Sequence, residues 1–413
     1  MIRALVFVLV CAGAASAQDD AGIVGEVRIH GNHTTPAADV LAMVGNIVGQ
    51  PATEALLTGI ETRLKTSGRF DNVEVRKRFR SIENPDDILV MVVVDEVPGV
   101  DPLDLTPGPL KKFRKSGMFL PVVHSEDGYG FTYGARMSFV DQLGPRSRIS
   151  LPLTWGGERQ ARVQAERTFE HGPVNRIMAD AGIIRRENPH YEIGDTRVGA
   201  SARLEAAPVR WLRFGVGGRR DEVSFGNIDD NVSSLGGDVT LDTRIDPAFP
   251  RNAVHVTVGR DRVAFNAGSA IQSQADVRGY LGLFRQTVLA VRALSVTSDA
   301  PLPPYERSLL GGAANLRGYD AGYKAADNLV AVSAELRVPI TSPLSVGGLG
   351  LKAFVDAGTT YDVGERLRDQ HLVDRGIGAG VYMHLTVLSV SLDVARSRAG
   401  DTRYHFGLGV TFK

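Results

Sequence analysis

Cysteine is all but missing: the 413 residues hold one, Cys11, and it lies near the N-terminus. Without that segment the chain has no disulfide framework, no thiolate metal cluster and no thiol nucleophile. An excess of charge of one sign is missing too. Lys plus Arg and Asp plus Glu both number 47, for a formal net charge of zero, so nothing points to nucleic acid as a partner. No second long apolar run follows the N-terminal one. That excludes a bundle of membrane-spanning helices, each of which needs about 20 apolar residues. It leaves a barrel open, because strands that alternate apolar-out and polar-in have an ordinary average hydropathy. The nine histidines are scattered, His30 and His33 lie astride a turn, and no His pair flanked by Glu appears at helical spacing. No metal site and no other cofactor are expected. Neither a Gly-x-Ser-x-Gly element nor a phosphate loop occurs, so an enzyme is not expected.

What is present begins with Met1-Ile2-Arg3, an apolar run from Ala4 to Ala15, and Ala15-Ser16-Ala17 before Gln18-Asp19-Asp20. A basic start, a short apolar core and a small-x-small site predict a secretory signal peptide over residues 1–17. Val10 stands before Cys11 where lipidation needs a small residue. The protein is therefore read as exported without a lipid anchor.

Residues 22–98 form one unit. Val24, Val27 and Ile29 predict a strand that ends at Gly31-Asn32, a turn signal. Thr34 or Thr35 can cap a helix with Pro36 in its first turn and Val40, Leu41 and Val44 as its stripe. Leu56, Leu57, Ile60 and Leu64 predict a second helix that Gly68 ends. Val73, Val75 and Phe79 alternate on a second strand, and Ile88 to Val94 make a third. Pro98, Pro102, Pro107 and Pro109 then mark a linker over 99–116, since proline lacks the N–H a ladder needs.

From 117 to 413 the rhythm becomes one of alternating segments separated by turn clusters such as Asp141–Pro145 and Gly226–Asn231. Glycine supplies 46 residues, about 11% against a usual 7%. Val330, Val332, Ala334, Leu336 and Val338 share one face, and Ala331, Ser333, Glu335 and Arg337 the other. Tyr404, Phe406, Leu408, Val410 and Phe412 alternate with His405, Gly407, Gly409 and Thr411. Segments of nine to eleven residues suit tilted transmembrane strands, and the length allows about sixteen of them. The fold class is mainly β: an α+β unit of order βααββ, then an antiparallel transmembrane barrel.

The stretch 311–322 reads Gly-Gly-Ala-Ala-Asn-Leu-Arg-Gly-Tyr-Asp-Ala-Gly. Its lone Arg317 is followed downstream by Glu335 and Asp356, each on the polar face of a strand. A guanidinium fork suits paired carboxylates, so one cation and two inward acids can fasten a loop inside a barrel.

The order of these parts resembles a POTRA domain followed by the barrel of the outer-membrane protein assembly and secretion superfamily. In the first unit the resemblance rests on Gly31-Asn32, on Ser67-Gly68-Arg69-Phe70 with Val73, and on Val94-Asp95-Glu96-Val97-Pro98. In the barrel it rests on Leu241–Pro247 with Pro250-Arg251, Leu316–Tyr319, Glu335–Pro339, Phe354–Gly358 and the last strand. The resemblance implies that the sixth outer loop folds into the lumen, where Arg317, with Gly318 and Tyr319, meets Asp356 and Glu335. It also implies that Tyr404, Phe406, Leu408, Val410 and Phe412 form the C-terminal barrel signal, although Lys413 follows Phe412. One POTRA unit stands here, and only Gln18 to Gly22 precede its first strand, which leaves no room for a plug helix.

Three functions stay open at this stage. The first is insertion or translocation of polypeptides in the outer membrane of a Gram-negative cell. In it the POTRA unit, in the periplasm, would bind clients by strand addition along Val73, Val75, Lys77 and Phe79. The second is a channel or structural barrel without a client, and the third a pore dedicated to one exported protein. Partners are outer-membrane lipid and unfolded or exported polypeptides. Accessory subunits and a homo-oligomer are left undecided. The basic run Arg76-Lys77-Arg78-Phe79-Arg80 reads as exposed edge, and Asp229-Asp230 as solvated loop charge.

Overall fold

The computed structural model describes residues 22–32, 35–80, 86–96, 117–169, 172–247, 249–341, 348–370, 373–385 and 388–410. The expected signal peptide and the linker over 99–116 lie outside them. The chain divides into two compact units, Met1–Glu96 and Val97–Lys413.

The first unit runs β1 (Ile23–His30), α1 (Ala37–Val44), α2 (Glu54–Thr66), β2 (Phe70–Phe79) and β3 (Asp87–Glu96). The nearly all-apolar β3 is the central strand, parallel to β1 and antiparallel to β2. Leu57, Ile60 and Leu64, spaced along one face of α2, are buried against Val73, Val75, Val90, Val92 and Val94. Thr53 caps α2 by accepting from the Leu56 amide, and Gly68 follows its end at positive φ.

Three details differ from the sequence reading. Pro36, not Thr35, is the N-cap of α1, with no side-chain cap bond, because the Thr35 amide instead donates to Glu96 Oε1 at 2.6 Å. Leu41 lies on the solvent side of α1, 42% exposed, while Val40 and Val44 are buried. Arg78 is buried rather than exposed. It lies close enough to His30 to oppose that residue's protonation.

The second unit is a closed antiparallel barrel of sixteen strands. Its first quarter is β4 (Gly117–Glu126), β5 (Gly130–Val140), β6 (Ser147–Gly156) and β7 (Glu158–Thr168). Then come β8 (Arg176–Asn188), β9 (Ile193–Val209), β10 (Leu212–Phe225) and β11 (Ile228–Asp242). Next are β12 (Ala253–Phe265), β13 (Gly268–Gly282) and β14 (Val288–Ser298). The loop that follows holds a small hairpin, β15 (Ser308–Leu310) with β16 (Lys324–Ala326). The ring resumes with β17 (Asn328–Thr341), β18 (Gly348–Tyr361), β19 (Asp374–His384), β20 (Leu388–Ser397) and β21 (Thr402–Val410).

Alternation sorts the faces as the pattern requires. Val332, Leu336, Val355, Leu392, Tyr404 and Phe406 are exposed on the outside, the surface that lipid solvates. Their neighbours Glu335, Asp356, Asp393 and His405 are buried inside. The lumen wall carries paired charges, among them Arg203 with Asp238 and both Arg278 and Arg292 with Asp276. Several strands exceed the expected nine to eleven residues, β9 reaching 17. Turns are correspondingly tighter: Asp229 and Asp230 belong to β11, and only Gly226-Asn227 connects β10 to it. The ring closes between β21 and β4, where two register pairs form among the described residues, Leu408 with Ser125 and Gly409 with His124.

Burial first, then Arg28 and Arg78, hold His30 below the ordinary imidazole range. Its Nε2 is buried without a hydrogen-bond partner among the described residues. The unfolded chain therefore takes up this proton before the folded one does. The stability tied to His30 is complete above about pH 6.5 and is lost as pH falls through and below that value. His30→Gln should flatten the acid limb of the first unit's stability below about pH 6.5. Limited proteolysis of the full-length protein across pH measures this, and an unchanged acid limb would assign the sensitivity elsewhere.

Candidate functional site

The sixth loop on the rim opposite the start of β4 spans 299–327 and enters the lumen. Arg317 is buried there, 7% exposed. The backbone amide of Arg317 donates to Asp356 Oδ2 at 3.0 Å, Nε to the same oxygen at 2.7 Å, and Nη2 to Oδ1 at 2.9 Å. Nη1 donates to Glu335 Oε2 at 2.6 Å and lies 3.5 Å from Asp393 Oδ2. The guanidinium carbon sits 3.3 Å from the Phe354 ring centre, so one face is stacked while the edges are bonded.

Strand register builds this socket. Ser333 lies opposite Asp356 and Glu335 opposite Phe354, which puts two acids and an aromatic ring side by side on the inner face of β17 and β18. Ser333 Oγ donates to Asp356 Oδ1 at 2.7 Å and orients it. Arg337 and Lys352 balance the outlying oxygens of Glu335 and Asp393, at 2.7 and 2.9 Å. The charges are thus paired in a closed network, the condition under which buried ions are tolerated.

Two glycines let the loop approach this closely. Gly318 has φ of +94°, and a Cβ there would lie 3.0 Å from the Arg396 carbonyl carbon. On β19, a Cβ at Gly376 would lie 1.8 Å from the Arg317 carbonyl oxygen, well inside contact distance. Tyr319, mostly buried, donates from its hydroxyl to the Arg375 carbonyl at 3.3 Å.

Sequence reasoning missed three members of the site. Asp393 alternates correctly on β20 but sits far from the motif in sequence. His405 lies on the inner face of β21, where it read as one small polar position among glycines. Its Nε2 accepts from the Gly318 amide at 2.9 Å, so Nδ1 carries the proton of the neutral ring and donates to Asp127 Oδ2 at 2.6 Å. Asp127 also accepts from the Ala313 amide at 2.9 Å. The first barrel hairpin and the last strand therefore meet through the loop. The available signal was a histidine at an inward position of the closing strand.

The other expected positions are placed separately. β2 is an edge strand, but Val73 and Val75 are buried in the core and Phe79 packs against it. Lys77 is half-buried. These side chains serve the fold of the first unit, and what the edge can offer a partner is backbone. On β21, Tyr404 is 73% and Phe406 45% exposed, and Leu408 is half-buried. Val410 ends the strand; its side chain and residue Phe412 lie outside the described residues. Among the described residues no cluster of three or more His, Cys, Asp or Glu is arranged to hold a metal.

Comparison with known families and structures adds a third line of observation. The family model described as Omp85 superfamily domain matches residues 128–412, and that described as POTRA, surface antigen variable number repeat, matches 22–97. The chain is similar to the structure of BamA from Haemophilus ducreyi lacking POTRA domains 1–3, with TM-score 0.63 and 15% identity, covering 94% of this chain and 84% of that one. CdiB from Escherichia coli gives TM-score 0.52 at 14% identity, covering 95% and 77%. CdiB from Acinetobacter baumannii gives 0.51 at 12%, covering 95% and 74%. At these identities the likeness concerns the fold. No curated protein sequence matches the chain.

Removing Arg317 would strand Asp356, Glu335 and Asp393 as buried carboxylates. Arg317→Ala should cost about 3–5 kcal/mol, lower the temperature at which the folded band is lost on gels, and expose loop 6 to protease. Gly376→Ala should release the same loop without touching a charge. A loop that stays protected in both variants would show that this socket does not hold it.

Proposed function

Since the chain belongs to the Omp85 superfamily, with a POTRA domain ahead of its barrel, we propose that it inserts polypeptides into the outer membrane or translocates them across it. Family membership puts the barrel in the outer membrane of a Gram-negative cell and the POTRA domain in the periplasm, and makes the protein non-enzymatic. The client step is our reading. The observation that carries it is the pairing of an edge strand in the periplasmic unit with a barrel whose lumen loop is held by one arginine socket. An extended client can add to β2 by backbone hydrogen bonds, which demand no particular sequence. The buried Val73 and Val75 anchor that strand in the sheet.

In this reading the Arg317 socket is the latch of the barrel. Loop 6 joins it to Asp127, just beyond the end of β4, and to His405 on β21, the two closing strands. Holding the loop holds the ring at its shortest ladder, and releasing it frees both lumen and seam for a client. Asp356→Arg should therefore cut client insertion far more than it cuts the amount of folded barrel, and a variant that inserts and works normally would sink the latch.

The client itself is sought with a photo-crosslinking residue in place of Glu74. That position is on β2 but, unlike Val75, half-exposed. Adducts with many nascent barrel proteins would support an assembly factor, and a single exported product a dedicated translocator. No adduct from a correctly folded barrel would overturn the client reading in favour of a channel or structural barrel.

A further inference from the structure

Loop 6 carries a second buried charge, of opposite sign, that the arginine motif does not use. Glu306 ends a short 3-10 turn, Pro304–Glu306, and its side chain is 8% exposed. Arg197 of β9 donates from Nη1 to Glu306 Oε1 at 2.8 Å. Arg219 of β10 donates from Nη2 to Oε1 at 2.9 Å and to Oε2 at 2.8 Å. Arg197 is itself held by Asp195 and also donates to the Tyr305 carbonyl at 2.7 Å. The Tyr305 ring, 5% exposed, is buried with Val223, Phe225, Val232 and Val263, and its hydroxyl donates to Asp230.

This is a built site, not a passing surface pair. The buried acid meets two guanidiniums, Arg219 reaching both carboxylate oxygens from a single nitrogen and Arg197 one of them, all by charge-assisted bonds. It also lies away from the Arg317 socket. Around the ring β11–β14 stand between the two on one side, and β4–β8 on the other. At one end the loop brings a cation to acids of the wall; at the other it brings an acid to cations of the wall.

We propose that Glu306 fastens loop 6 to β9 and β10 independently of Arg317, so that the loop is a strap tied to separate parts of the wall and each tie contributes separately to keeping the pore closed. Arg197 and Arg219 are positioning residues for that strap. The proposal concerns the loop and stands whether or not the barrel handles polypeptides.

The test is single-channel recording of the purified full-length protein in planar bilayers, with Glu306→Gln, Asp356→Asn and the double variant. Wild type should be closed nearly all the time. Each single variant should raise open-state occupancy by about tenfold, as expected when a charge-assisted bond becomes neutral. In the double variant the two effects should multiply, giving long openings. The proposal falls if wild type is already fully open. It falls if Glu306→Gln behaves as wild type in both backgrounds, or if the Glu306 variant alone opens as far as the double. Where Glu306→Gln fails to insert, Arg197→Gln with Arg219→Gln changes the wall instead of the loop; it should show the same rise as a single variant, and an occupancy unchanged from wild type overturns the proposal equally. Because no client enters the recording, these outcomes are separate from those of the crosslinking experiment.

Discussion

Hydrocarbon offers no hydrogen bonds, and that one constraint shapes the barrel. Every backbone N–H and C=O facing lipid depth needs a partner within the sheet, so the sheet must close on itself. Closure in turn fixes the alternation, because each strand shows one face to lipid and the other to the lumen. The lumen face is then free to be as polar as function asks. Here it is lined with arginines and acids in matched pairs, and a 29-residue segment (299–327) lies among them. The inserted loop is held in two ways: Leu310 and Leu316 are fully buried with Leu329 and Ala331, and its buried charges find counterparts on the wall.

The two units are held differently. The POTRA domain is held by an apolar core of valines, leucines and isoleucines under two helices, the ordinary solution for a small soluble domain. Its sheet leaves β2 at an edge. The barrel leaves no edge except at the β21–β4 junction, where the ladder is short among the described residues. Among the described residues, backbone pairing is thus least complete at the sheet edges of the first unit, β2 among them, and at one junction of the barrel.

Much of the architecture was legible in the sequence because its signals are periodic. The face assignments at Val332, Glu335, Val355 and Asp356 follow from a period of two, and the two helices from Leu57, Ile60 and Leu64 and their turn residues. Strand lengths were harder to read: β9–β11 continue past the apolar stretch, and no change in alternation marks where a strand leaves the membrane. Pairings across the lumen were harder still. Arg317 and its acids stood out because glycines bracket the arginine and the acids follow on strands. Nothing local ties His405 to Asp127, 278 positions apart, or Glu306 to Arg197 and Arg219. Their meeting is a product of ring closure and loop insertion, which only three-dimensional register reveals. The basic run at 76–80 was misread for a related reason, since burial of Arg78 depends on packing rather than on charge pattern.

The opposite signs of Arg317 and Glu306 bear on how the loop behaves in an electric field. A potential across a membrane exerts a force on each elementary charge within it, worth about 2.3 kcal/mol per 100 mV across the full span. On this loop Arg317 and Glu306 are pulled in opposite directions, and the seven charges of 299–327, three basic and four acidic, sum to −1. A voltage of either sign therefore pulls the two ties in opposite senses, and with one net charge to act on it has little leverage to draw the loop out as a body.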